Sequence, residues 1–131
     1  MIVGVGVDVT SISRVSRFVR DHAASLERVF TGAEQEFCER GTSRHREARY
    51  ASAFAGKEAV MKALGTGLRS DIEFADIDTR DPVAPGEVVL RRGARSVASS
   101  QGIVRIFLSV ASTAHVAIAS AVATSHDDDG R

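Results

Sequence analysis

The chain has 131 residues and a mass of 13.9 kDa, the size of one domain able to bury roughly two-thirds of the surface its unfolded form exposes. Hydrophobic residues make up 44% and charged residues 26%, and seventeen cations balance seventeen anions, which argues against nonspecific nucleic-acid binding while leaving local arginine clusters able to meet an acidic partner. No apolar run approaches the ~20 residues that span a bilayer, the start Met-Ile-Val-Gly-Val-Gly-Val-Asp lacks a signal peptide's basic n-region, and a lone Cys38 excludes an internal disulfide, so a soluble cytoplasmic protein is expected.

Residues 2–9 alternate branched apolar residues with glycine, which predicts a buried strand with close backbone approach at Gly4 and Gly6 and Asp8 at its end. From Ser11 the spacing of Ile12, Val15, Phe18 and Val19 is helical, with Ser11 or Ser13 as N-cap and Arg14, Arg17 and Arg20 on the other side. Thr31 and Glu34 have the spacing of a capping box that opens a short helix through Cys38. A polar loop over 41–46 leads to the longest helix, about Arg46 to Leu64, ended by Gly65. Strands are predicted over 72–79, 86–90, 103–110 and 116–122, with a short helix over 92–100. One domain over 1–124 is followed by a tail, 125–131, expected to be disordered; its Asp127, Asp128 and Asp129 lack the glycine-spaced loop of a metal site.

Fifteen of the seventeen cations are arginine, and the two lysines, Lys57 and Lys62, fall together in Phe54-Ala55-Gly56-Lys57-Glu58-Ala59-Val60-Met61-Lys62-Ala63-Leu64-Gly65-Thr66-Gly67. An ammonium is a compact charge suited to a phosphate oxygen, where guanidinium is a planar fork, so these lysines read as chosen for chemistry; chance clustering is the plain alternative. Glu58 and Lys62 are a turn apart on one helix face, which alone would make only a surface ion contact. Lys57 sits about 140° away, so the two lysines can flank an extended ligand but not grip one small group. The Gly65-Thr66-Gly67 turn offers backbone to a diphosphate, although a glycine C-cap also explains Gly65. Asp8 and Glu58, if brought together, supply the one or two carboxylates that hold Mg²⁺ beside substrate phosphates.

Several of these strings, Gly4 to Val9 with Ile12 and Arg14, Phe30-Thr31 with Glu34 and Cys38, Phe54 to Gly67, and Phe74 to Asp78, resemble holo-acyl-carrier-protein synthase, the small class of 4′-phosphopantetheinyl transferases. The resemblance covers most of the chain in the right order. It implies an α+β fold with a long helix packed on an antiparallel sheet, assembled as a homotrimer with active sites between subunits. It also implies transfer of the 4′-phosphopantetheine arm of coenzyme A to a serine of an acyl carrier protein of fatty-acid or polyketide synthesis, releasing adenosine 3′,5′-bisphosphate. Carried over by motif, Asp8 and Glu58 would bind Mg²⁺, Lys62 would contact the phosphate as its bond breaks, Gly65 and Thr66 would approach coenzyme A, and Arg14 would meet the acidic carrier protein.

Two departures stand out. The family's C-terminal Ser-His pair is Ala111-Ser112 here, with His115 three positions later, and the arginine usual before Phe-Ala-x-Lys-Glu is Ala53. Both remove groups expected near the coenzyme A nucleotide; Arg49, one turn before Ala53, is the compensating candidate, whereas His115 reads more simply as a surface residue. Two functions follow: an active transferase, or a catalytically weak paralogue that binds carrier protein without efficient transfer.

Overall fold

A computed structural model describes residues 1–67, 71–80 and 86–126. The order is β1 (Ile2–Ser11), α1 (Ile12–Asp21), a 3₁₀ helix (Ala23–Arg28), α2 (Gly32–Glu39), α3 (Ser43–Leu64), a 3₁₀ turn (Phe74–Asp76), β2 (Ile77–Asp78), β3 (Val89–Leu90), α4 (Arg92–Ser100), β4 (Ile103–Ser112) and β5 (Val116–Ser125). Strands β1, β5 and β4 form an antiparallel sheet in that order, and β2 pairs with β3. The expected α+β architecture, a long helix on an antiparallel sheet, is what the chain adopts.

Small residues set the distance between helix and sheet. Ala51, Ala55, Ala59 and Ala63 recur every four residues along α3, and Ala117, Ala119, Ala121 and Ala123 alternate along β5; all are buried. On β1 the matching positions are Gly4 and Gly6, where an added Cβ would stand 2.0 Å from the Ala63 carbonyl oxygen and 1.9 Å from that of Ala59. The expected close approach is therefore that of α3, whose backbone lies directly on the strand. The rest of the reading of this strand needs correction. Val5, Val7 and Val9 are not buried but 57%, 53% and 61% exposed on the opposite face, joined there by Phe107 and Ile118. Period-two alternation was legible, but it sends glycine to the core and valine outward.

Local chemistry accounts for the element ends. The Ser11 hydroxyl accepts from the Arg14 amide, and Thr31 and Glu34 form the reciprocal capping box. Thr42 caps α3 through the His45 amide, so the helix begins at Ser43 and takes up most of the expected 41–46 loop. Gly65 ends it in the left-handed region at φ 75°. The expected strand over 72–79 shrinks to Ile77–Asp78, because the Asp76 carboxylate accepts from the Glu73 amide and closes a 3₁₀ turn. The 86–90 strand is Val89–Leu90, with one isolated bridge from Glu87 to Phe107. β5 runs to Ser125, past the expected end of the domain, and Asp127, Asp128 and Asp129 lie outside the described residues. No helix among the described residues is long and apolar enough to cross a membrane.

Candidate active site

Period two along β1 turns Asp8 to the same side as Gly4 and Gly6, toward α3, and the four-residue spacing of Glu58 and Lys62 brings both to meet it. The three residues line one cleft of about 490 Å³ with Thr10, Ser11 and Arg14. Lys62 Nζ donates to the Val7 carbonyl at 2.8 Å and to Asp8 Oδ1 at 3.2 Å, while Thr10 Oγ1 donates to Asp8 Oδ2 at 2.5 Å. The lysine therefore bonds across to the strand and not along its own helix to Glu58. Burial pushes the Glu58 carboxyl above its usual range and the charge of Asp8 adds to the push; Lys62 and Arg14 oppose it. Desolvation of the second carboxylate therefore outweighs the pull of the two cations that share the cleft.

That imbalance has a measurable sign. An acid whose folded pKa is raised holds its proton longer in the native state than in the unfolded one, so stability falls as pH rises from its ordinary value through the raised one, and the deficit persists above. Glu58→Gln is expected to raise Tm at neutral pH and to leave it unchanged near about pH 3, where both states are protonated. Thermal melts of the two proteins at both pH values check this; a Tm that falls at neutral pH would contradict the placement of the Glu58 charge.

Much of the remaining lining is apolar: Val15 and Phe18 of α1, Val29, Phe54 and Phe74. Phe54 stacks on Phe74 with ring centroids 5.2 Å apart. These walls went unassigned in the sequence, although Phe54, one turn before Glu58, carries a readable signal: the i−4 position of a candidate acid shares its face. Thr10 was also missed.

Lys57 does not flank a ligand. It is fully buried, 2.6 Å from Glu34 Oε1, and donates to the carbonyls of Phe74 and Ile77. Burial lowers its pKa against the pull of Glu34. Removing one partner of such a pair alone strands a buried charge, at a cost of about 3–5 kcal/mol.

The positions that depart from the family pattern gather elsewhere. Ala53, Ala111 and Ser112 line a second cleft of about 580 Å³, which shares no lining residue with the first. Arg49 also lines it, but its Nη1 donates to the carbonyls of Phe37 and Arg40 and its guanidinium lies 4.4 Å from the centre of the Phe37 ring. Arg80 stands 3.8 Å from the same ring. His115 lines neither cleft; its carbonyl accepts from the Ile12 amide, joining the β4–β5 turn to the start of α1. Beyond α3, the Gly65 amide donates to the Lys62 carbonyl and the Thr66 amide to that of Met61, while the Thr66 hydroxyl is buried without a hydrogen-bond partner. Arg17 and Arg20 are exposed on α1 and outside the cleft; only Arg14 of the three reaches it.

Among the described residues no three His, Cys, Asp or Glu side chains gather as a metal centre. The donor set is the Asp8 and Glu58 pair. Two carboxylates in a half-buried cleft fit Mg²⁺, which takes one or two protein carboxylates and completes its shell with substrate phosphates and water.

The chain belongs to a transferase family: residues 4–119 match the 4′-phosphopantetheinyl transferase superfamily. Within that superfamily its relatives are the holo-[acyl-carrier-protein] synthases. The synthase of Geotalea daltonii is 39% identical over 121 residues, 91% of this chain and 95% of that protein. The Neisseria meningitidis synthase superposes with a TM-score of 0.79 at 29% identity, over 95% of this chain and 99% of that one. The Helicobacter pylori synthase, solved in complex with coenzyme A, superposes with a TM-score of 0.75 at 28% identity, over 92% and 99%.

Proposed function

We propose that this chain is an active holo-acyl-carrier-protein synthase, moving the 4′-phosphopantetheine arm of coenzyme A to a serine hydroxyl of an apo acyl carrier protein. The observation that carries the reading is the meeting of Asp8, Glu58 and Lys62 in one cleft. Phosphoryl-type transfer needs positioning and neutralisation of charge on the non-bridging oxygens more than covalent help from the protein. Asp8 and Glu58 would hold Mg²⁺, which when bound supplies positive charge to the diphosphate. Lys62, freed from Asp8, gives its ammonium to the phosphate oxygens as the bond to adenosine 3′,5′-bisphosphate breaks. The serine oxygen forms the new bond to phosphorus, and its proton goes to a Glu58 oxygen, which lines the same cleft as Lys62. Gly65 and Thr66 line neither cleft, their amides are taken by the Lys62 and Met61 carbonyls and the Thr66 hydroxyl is buried, so their expected approach to the diphosphate finds no support in this geometry.

The reading as a weak paralogue rests on Ala53 and Ser112. Both lie in the second cleft, away from the reacting groups, so they bear on nucleotide affinity, with Arg49 the nearby cation. Following adenosine 3′,5′-bisphosphate by chromatography tests the proposal. Release at several turnovers per chain, only with apo carrier protein present, is the expected result; stoichiometric or no release would favour the weak paralogue.

Assembly belongs to the same proposal. Val5, Val7 and Val9 with Phe107 and Ile118 make an exposed apolar face across the sheet, the kind of surface that marks an interaction site. We infer that these faces pack together in a homotrimer. Light scattering is expected to give three times 13.9 kDa for the native chain and one copy for Val5→Asp; a native monomer would contradict it.

Arg14, exposed at the mouth of the carboxylate cleft, is the proposed contact to the acidic carrier protein. A rim charge acts through encounter and is screened over about 8 Å at physiological salt. Arg14→Ala should therefore raise KM for carrier protein, flatten its salt dependence and leave KM for coenzyme A unchanged. Steady-state titrations of the two substrates check it; the reverse pattern would place Arg14 on the nucleotide.

A further inference from the structure

Among the described residues Lys57 and Glu34 form an ion pair with both side chains fully buried, and no step of the transfer uses it. Glu34 Oε1 accepts from the Thr31 amide at 2.8 Å and from Lys57 Nζ at 2.6 Å; Oε2 accepts from the amide and hydroxyl of Thr79 at 3.0 and 2.5 Å. Lys57 Nζ spends its other donors on the carbonyls of Phe74, at 3.2 Å, and Ile77. Every polar atom of the pair is satisfied, so the network joins the start of α2, the middle of α3 and both ends of the turn that carries Phe74.

Burying an ion pair costs desolvation that well-packed apolar side chains avoid, so stability alone is a poor reason to keep one. What an ammonium adds is direction: three donors fixed on three acceptors set the rotation of the turn. Phe74 is where that rotation matters. Its ring, half-buried, stacks on Phe54, and both rings line the cleft that holds Glu58 and Lys62. Lys57 is the residue immediately before Glu58, so the same ammonium also anchors α3 next to the reacting acid.

We propose that Lys57, backed by Glu34, is a positioning residue for the transfer: it holds Phe74 against Phe54 so that this apolar wall aligns the arm of the donor with Glu58 and Lys62. The proposal rests on the transferase reading above. It separates two lysines that look alike in sequence, Lys62 acting on the substrate and Lys57 acting only through Phe74.

The test pairs kinetics with a mutant cycle. Lys57→Met combined with Glu34→Gln removes both charges and leaves a side-chain oxygen for the Thr31 amide. Assayed with coenzyme A, Mg²⁺ and apo carrier protein well below its melting temperature, the paired variant should lose about 100-fold in kcat, the size of effect expected from a reacting geometry about 1 Å out of place. Its circular dichroism and oligomeric state should match the native chain. Phe74→Ala should cause a comparable loss, and the combined variant should lose little more, because residues acting through one another are non-additive. Turnover of the folded paired variant within twofold of native, or losses that multiply, would overturn the proposal and leave Lys57 a purely structural residue. Should the paired variant not fold, Phe74→Ala decides: a loss of at least about tenfold carried in kcat keeps the proposal, and unchanged kcat overturns it. A native chain that transfers nothing in the same assay would overturn the transferase reading, and this proposal with it.

Discussion

Glu58→Ala is expected to lower kcat/KM for transfer by about three orders of magnitude while the protein stays folded. Metal-borne charge contributes several kcal/mol to a transition state of this type, and each 1.36 kcal/mol is tenfold in rate. The same substitution removes a carboxyl that the fold holds at a cost, since burial and Asp8 both disfavour its charge. Loss of activity without loss of Tm is therefore the specific signature; most core substitutions lose both. Asp8→Ala should be as inactive, and it also frees Lys62 and Thr10 from their shared partner. Kinetics and thermal melts on the two variants check the pair of statements. Activity of Glu58→Ala equal to native and equally sensitive to EDTA would remove Glu58 from the metal site.

The second large effect lies in the fold. At Gly6 an added Cβ would meet three backbone atoms of α3, the Ala59 oxygen at 1.9 Å, the Ala63 nitrogen at 2.8 Å and the Ala59 carbon at 2.9 Å. Backbone of a helix packed on a sheet cannot step aside as a flexible side chain can. Gly6→Ala should cost about 3 kcal/mol or more, the upper range of overpacking, from a total of about 5–15 kcal/mol. For a chain of this size that is a fall in Tm of roughly 10 °C or outright failure to fold. Gly32→Ala is the control: nothing lies within 4 Å of its Cβ, and α2 should tolerate or welcome it. Equal melting temperatures for Gly6→Ala and the native chain would mean that α3 does not rest on β1 as described.

What could be read from the sequence was what is encoded locally. The Ser11 and Thr31 caps, the Gly65 stop and the alternation along β1 each depend on side chains within a few residues of one another, and each is in the structure. The strand over 72–79 failed because the β-branched content of Ile72 and Ile77 was weighed without the Asp76 carboxylate, which caps the Glu73 amide and bends the backbone into a turn. β1 was expected to be buried as a whole, and only its glycine face is; the partner helix is alanine-rich and comes too close for valine.

The site was legible unevenly for the same reason. Spacing placed Glu58 and Lys62 on one face, but nothing in spacing could bring Asp8 to them across fifty residues; resemblance did that. Glu34 was visible as a cap and invisible as the counter-ion of Lys57, because one end of the interaction is local and the other tertiary. Lys57 and Lys62 share a residue type and a segment, and differ only in which side of α3 they occupy. Burial separates them, and no sequence pattern short of the packed helix reports it.

The central claim is that this chain places a phosphopantetheine arm on a carrier-protein serine using the Asp8, Glu58 and Lys62 cleft. Intact-mass spectrometry of apo carrier protein incubated with coenzyme A, Mg²⁺ and the native chain tests it most directly. The account predicts complete conversion to a species heavier by one phosphopantetheine, none on a carrier whose acceptor serine is alanine, and none with Glu58→Ala. A carrier protein whose mass is unchanged by the native, folded chain would contradict it.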